Sequence, residues 1–161
     1  MVRYYRRRYR PYSKKDKWSV ETKSVAIETN VSATESTHVL IVSPSDTEGI
    51  RTVKNLTFSC SVPISFRWII VFVPRGTTVG TLNQNPTAGG PEHGRSIVSI
   101  YEPNQYVMAA GTYDPGAGPN RIFCPLARKL NSGDGIYLLI RGADNTQIKT
   151  IAVVRYAIKY N

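Results

Sequence analysis

The residues best equipped for chemistry stand in one short run, VRYYRRRYRPYSKKDK, residues 2–17. Arg3, Arg6, Arg7, Arg8, Arg10, Lys14, Lys15 and Lys17 are interleaved with Tyr4, Tyr5, Tyr9 and Tyr12. A guanidinium grips phosphate with two parallel hydrogen bonds and stays charged at any biological pH. A tyrosine ring offers a face for an unpaired base, worth about 1–3 kcal/mol per base. Interleaving the two suits a flexible single-stranded nucleic acid better than a rigid duplex groove. Pro11 and the scarcity of aliphatic residues predict no helix here, only a segment disordered until it binds. A dozen such residues would reach roughly 40 Å if extended.

The charge of the chain is concentrated there. The 161 residues carry 21 Lys or Arg against 11 Asp or Glu, a formal +10. Residues 1–17 hold eight of the bases and Asp16 alone, so +7; the other 144 hold 13 basic and 10 acidic, so +3. A basic tail on a nearly neutral body is the pattern of a polyanion-binding arm. The same charges also suit a nuclear import signal, for which the candidates are Arg3, Arg6, Arg7, Arg8, Arg10, Lys14 and Lys15.

Other chemistries have little to stand on. No HExxH, GxSxG or P-loop pattern occurs, so no catalytic residue and no cofactor is assigned. His38 sits in an apolar stretch and His93 in a glycine-rich one; with Cys60 and Cys124 far apart, they make no metal-ligand set. Both cysteines have apolar neighbours and read as buried thiols. Asp46, Asp114, Asp134 and Asp144 stand in SPSD, YDPG, SGDG and GADN, where aspartate caps its own turn. NVS at 30–32 and NLT at 55–57 match the glycosylation sequon but mean little without a secretory route. The basic start is followed by no apolar run, and the longest apolar stretch, WIIVFV, is too short for a membrane helix. The expectation is a chain made as a soluble intracellular protein, without membrane insertion.

What positions these residues is a β-domain. From Trp18 on, segments rich in Val, Ile, Thr, Tyr and Phe alternate with Gly/Pro/Asn/Asp/Ser clusters. Strands are predicted at 18–28, 37–43, 50–60, 65–74, 96–101, 105–110, 134–142 and 147–160. Eight strands in about 145 residues imply a sandwich or barrel. One helical turn or two is expected only in CPLARKLNSG, 124–133, between Pro125 and Asn131 or Gly133. The stretches 77–96 and 112–121 read as long loops, the usual places for partner contacts. The domain plan is therefore an arm, 1–17, and an all-β domain, 18–161. In the terminal segment Lys149, Arg155 and Lys159 share one face with Ile151, Val153 and Ala157. They are either solvated charges or a phosphate-facing stripe that extends the arm.

The start VRYYRRRYRPY resembles the Arg/Tyr-rich start of capsid proteins of circoviruses and related small circular, Rep-encoding (CRESS) single-stranded DNA viruses. TVKNLTFSCSVP, FRWIIVFVPRGTTVGTLN, SIYEPNQYVMAAG, RIFCPLARKLNSGDGIYLLIRG and the closing IKTIAVVRYAIKY are similar to body segments of such capsids. The resemblance implies an eight-stranded antiparallel viral jelly roll in two facing sheets, with a disordered inward arm. It implies partners as well: identical subunits, about 60 in the simplest closed icosahedral (T=1) shell, a single-stranded DNA genome, and host import machinery. The places it implies are the virion, and the host nucleus during assembly.

Three other readings stay open. RNA could replace DNA as cargo. A non-assembling cellular nucleic-acid-binding module would carry basic and aromatic residues on its folded surface. A carbohydrate-binding jelly roll would use Tyr101, Tyr106 and Tyr113, but leaves the arm unexplained.

Overall fold

The computed structural model describes residues 17–31, 37–46, 49–77, 79, 106–117, 121–142 and 146–160. They are almost entirely strand: β1 Ser19–Val31, β2 Thr37–Val42, β3 Arg51–Ser59, β4 Phe66–Val73, β5 Tyr106–Tyr113, β6 Arg121–Cys124, β7 Arg128–Leu130, β8 Gly135–Gly142 and β9 Thr146–Tyr160. One turn of 3-10 helix, Pro115–Ala117, is the exception. No helix among the described residues is long and apolar enough to cross a membrane.

The strands form two antiparallel sheets. One runs β1-β9-β3-β6, with β7 also paired to β3; the other runs β2-β8-β4-β5. Early and late strands alternate within each sheet, so the chain winds back and forth between them in a jelly-roll-like path. Val25 and Ile27 of β1, Phe58 of β3, and Ala152, Val154, Tyr156 and Ile158 of β9 point into the space between the sheets. Phe66, Trp68, Ile70 and Phe72 of β4 and Ile136, Leu138 and Ile140 of β8 meet them from the other side. Each fully buried side chain of this size stabilises by roughly 1.5–3 kcal/mol. β4 is dry on its other face too. Ile69, Val71 and Val73 form a second buried cluster with Leu139, against which Val79, Val107 and Tyr137 pack.

Seven of the eight expected strands are found, and 96–101 lies outside the described residues. The helical turn expected at 124–133 is corrected to strand. Arg128–Leu130 pairs with Arg51–Val53, and Arg121–Cys124 pairs with Leu56–Ser59 of the same β3. They are two halves of one line, interrupted at 125–127, where Pro125 brings no N–H to the ladder. Leu130, fully buried, gains more from the core than a surface helical turn could give it. β3 answers the interruption with a bulge. Its register on β9 shifts between Lys54 and Thr57, and Asn55 takes φ 54°, a left-handed conformation that asparagine tolerates.

The loop expected at 112–121 is also shorter than its composition implies. β5 runs on to Tyr113, whose ring stacks on Phe66 at 4.5 Å and whose hydroxyl meets both Val62 N–H and Val62 C=O at 3.2 Å. Two of the four aspartates, Asp114 and Asp134, behave as turn residues, and Asp144 lies outside the described residues. Asp114 accepts from Gly116 N–H at 2.9 Å. Buried Asp134 accepts from Arg75 N–H at 2.9 Å and Asn131 N–H at 2.7 Å. Gly133, at φ +84° with the Arg75 side chain where a Cβ would stand, fits that turn as glycine.

Two predictions follow from this packing. A Cβ on Gly111 would come 2.7 Å from the Trp68 ring, so Gly111→Ala should cost about 1–3 kcal/mol of overpacking, read as a lower denaturant midpoint with unchanged slope. Tyr156 donates to Glu21 Oε2 at 2.5 Å; burial first, then Glu21, raises its pKa above the ordinary 10.0. The unfolded tyrosine therefore ionises first, so this stabilisation is complete below about pH 10 and is lost above it. Tyr156→Phe should flatten the alkaline limb of a melting-temperature-against-pH curve.

Candidate nucleic-acid interface

Strand parity makes the site. Along β9 the even residues from Ala152 to Ile158 are buried, which turns Lys149, Ile151, Val153, Arg155, Ala157 and Lys159 onto the outer face of the first sheet. The stripe expected from sequence thus stands on one face, with Lys149 and Arg155 exposed and Lys159 partly so.

Pairing brings further residues to the same face. Thr52 stands between Lys159 on β9 and Lys129 on β7. Thr57 stands between Arg155 on β9 and Phe123 on β6, and its hydroxyl accepts from Arg121 Nη2 at 3.2 Å. Lys54 is opposite Ala157. The face therefore carries Lys54, Arg121, Lys129, Lys149, Arg155 and Lys159, together with Phe123, which is 50% exposed. Among the described side chains no carboxylate shares it. By register Glu28 lies opposite Lys149. Exposed Val20, Ile151 and Val153 complete the face.

Of the expected arm, Arg3, Tyr4, Tyr5, Arg6, Arg7, Arg8, Tyr9, Arg10, Tyr12, Lys14 and Lys15 lie outside the described residues. Lys17 is described and exposed. Next to it, Trp18 has its ring 3.8 Å from Lys54 Nζ. Such a cation–π contact contributes about 0.5–1 kcal/mol at an exposed site. It holds the residue before β1 beside a lysine of the basic face.

Lys54, Phe123, Arg121 and Lys129 are the residues that sequence reading misses. Alternation on β3 would have exposed Lys54, but the bulge at Asn55 hides how it continues. Arg121 and Lys129 fall in stretches read as loop and helical turn, and Phe123 stands between the two.

The remaining candidates take no part. Cys60 and Cys124 are free thiols, half-buried and buried. Burial pushes Cys60 up to about 11 and Cys124 upward as well, so neither is a ready nucleophile. Among the described residues no group of three His, Cys, Asp or Glu side chains could hold a metal. His38 is exposed, edge-on to Tyr137 at 6.2 Å. Of the three aromatics of a carbohydrate site, Tyr113 is buried in β5, Tyr106 is half-exposed, and Tyr101 is outside the described residues.

No family model and no curated protein matches the chain. Among solved structures it is similar to a chain of infectious bursal disease virus, Gx strain (TM-score 0.44, 9% identity, 89% of this chain and 32% of that one). It is also similar to the virus-like particle protein of extra small virus from the giant freshwater prawn Macrobrachium rosenbergii (0.23, 12%, 98% and 94%). A CocE/NonD family hydrolase from Staphylococcus aureus matches as well (0.25, 9%, 88% and 33%). The chain thus spans about a third of the bursal disease virus chain. All three scores are below 0.5; the topology above rests on the chain's own hydrogen bonds.

The face makes a quantitative prediction. Each phosphate contact to a single strand adds about 0.7 to the log–log dependence of affinity on salt. Arg155→Ala with Lys159→Ala should therefore lower that slope by roughly 1.4 for an oligo(dT) probe, measured by fluorescence anisotropy at several salt concentrations.

Proposed function

We propose that this chain is a structural capsid protein, an eight-stranded viral jelly roll that assembles into a small icosahedral shell and packages single-stranded DNA. In this reading residues 1–17 are the nucleic-acid-binding arm and 18–161 the tiling domain. If β6 and β7 count as one interrupted strand, the two sheets hold four strands each. The observation that carries the proposal is the joint at Trp18. It sets the root of a +7 arm against the basic outer face of a two-sheet β-domain. That face would turn toward the cargo, and the other sheet away from it.

The mechanism is electrostatic. Arg3, Arg6, Arg7, Arg8, Arg10, Lys14, Lys15 and Lys17 neutralise phosphates and release counterions, while Tyr4, Tyr5, Tyr9 and Tyr12 stack on bases. Arg155 and Lys159 continue the track on the folded face. Neither charge nor stacking reads a base edge, so sequence preference is low. The resemblance to circovirus-like capsids favours DNA over RNA, and a nuclear phase in which the arm's Arg and Lys residues serve import.

One observation favours a second reading. The folded domain does carry basic residues and an exposed Phe123 on one face, as a non-assembling nucleic-acid-binding module would.

The mass in solution separates the two. About 60 copies of 17.9 kDa should elute as a particle of roughly 1 MDa in light scattering after size exclusion. A monomer that binds single-stranded DNA would replace the shell with the cellular module. Deleting residues 1–15 should leave the particle intact and empty. A truncated particle with a full load of nucleic acid would overturn the arm's role, and nuclease sensitivity of the load tells DNA from RNA.

A further inference from the structure

At the edge where the two sheets come together, Phe72, Pro74, Tyr106, Arg128, Asn131 and Asp134 help line an open cleft of about 540 Å³. Its centre is a stack of planes. The Arg128 guanidinium carbon lies 4.3 Å from the Phe72 ring and 5.0 Å from the Tyr106 ring. The two rings are 5.8 Å apart and tilted by 38°. Phe72 is buried, whereas Tyr106 is 51% exposed. A ring half in water, braced from behind by a second ring and a cation, is an unfilled stacking platform.

The electrostatics of the cleft favour an anionic ligand. Among the described lining residues the one acid, Asp134, has both carboxylate oxygens turned to the backbone N–H groups of Arg75 and Asn131, and Arg128 and Lys129 outnumber it two to one. Arg128 has N–H donors beyond those its ring contacts need, because cation–π contact uses the plane and not the edge. Lys129, the next residue of β7, also lines the cleft and is in register through Thr52 with Lys159 of the basic face. Cleft and face therefore share a border. The volume matches a small-ligand site.

We infer that this cleft is a nucleotide-binding subsite: one unpaired base stacks on Tyr106, and its phosphate is held by Arg128 with Lys129. The inference rests on the nucleic-acid reading above and adds a fixed base position to a contact that is otherwise diffuse charge. A carboxylate-bearing segment of a second copy would satisfy the same cation, and the test tells the two apart.

The full-length protein, in the particle it forms, is irradiated with an oligonucleotide containing 5-iododeoxyuridine, and cross-linked tryptic peptides are read by mass spectrometry. Cross-links are expected in the arm and in the peptide 96–121, which holds Tyr106. In Tyr106→Ala the 96–121 cross-link should fall about 5- to 150-fold, the occupancy one stacked base carries, while arm cross-links persist. Tyr106→Phe keeps a ring and should keep the cross-link; Arg128→Gln should weaken it. Cross-links confined to the arm overturn the subsite and leave the proposed function standing. A 96–121 cross-link that survives Tyr106→Ala, or a Tyr106→Ala variant that changes particle mass but not cross-linking, also overturns it, the latter in favour of a contact between copies. No cross-link anywhere brings down the nucleic-acid reading itself.

Discussion

The rest of the structure depends on one register: the antiparallel pairing of β1 with β9 over the whole length of β1, from Ser19 opposite Ile158 to Val31 opposite Thr146. Side chains on a strand alternate, so a slip of one residue would exchange the two faces. Val154 and Tyr156 would face water, and Arg155 would enter the core. Burying that cation unpaired would cost several kcal/mol, far more than a displaced backbone ladder could recover. Glu21 adds a local lock, since its carboxylate takes the hydrogen of buried Tyr156 only in this register. The nearby Lys23–Glu21 pair, at 3.8 Å and partly exposed, adds little.

From that register the division of labour between the two sheets follows. β9 is an inner strand of its sheet, flanked by β1 and β3, so its outer row of Lys and Arg stands in the middle of a face. β3 and β6 widen that face with Lys54, Arg121 and Phe123. The second sheet solves its outer face in the opposite way: Ile69, Val71, Val73 and Leu139 are themselves buried there. The first outer face thus carries a row of charges, while the second has an apolar buried centre with Arg67, Arg141 and His38 in the same parity. The two faces differ in how much charge they concentrate, and the denser basic row is that of the first sheet.

Much of this was legible in the sequence because alternation is a local signal. THVLIV, FRWIIVFV, GIYLLIRG and the terminal KTIAVVRYAIKY announce strands by composition, and the last shows both of its faces outright. The failures have non-local causes. RKL carries no strand signal of its own because three residues cannot display a period; only the edge of β3 at Arg51–Val53 makes them a strand. Lys54 and Thr57 lie on one face only because Asn55 bulges. Tyr113 falls in a stretch whose Gly, Pro and Asn content reads as loop, whereas the strand runs through Gly111, which makes room for Trp68, and on to Tyr113. Lys129 and Arg121 could not be assigned to the basic face before their partner strand was known.

The same reasoning explains why the arm needs the domain. In the proposed reading, a run of Arg and Tyr meets a polyanion with affinity set by charge and salt. Trp18 over Lys54 marks a defined place beside that run, since β1 is in register with β9 from Ser19 onward. The cost of ordering each further residue of the arm is about 1–2 kcal/mol, which surface charge pairs alone do not offset. Stacking can offset it, and it is available where rings are exposed: on Phe123 among the lysines and arginines of the face, and on Tyr106 across its border. In the proposed reading, a nucleic acid brought to the domain would therefore find stacking surfaces on Phe123 and Tyr106 in addition to the tyrosines of residues 1–17.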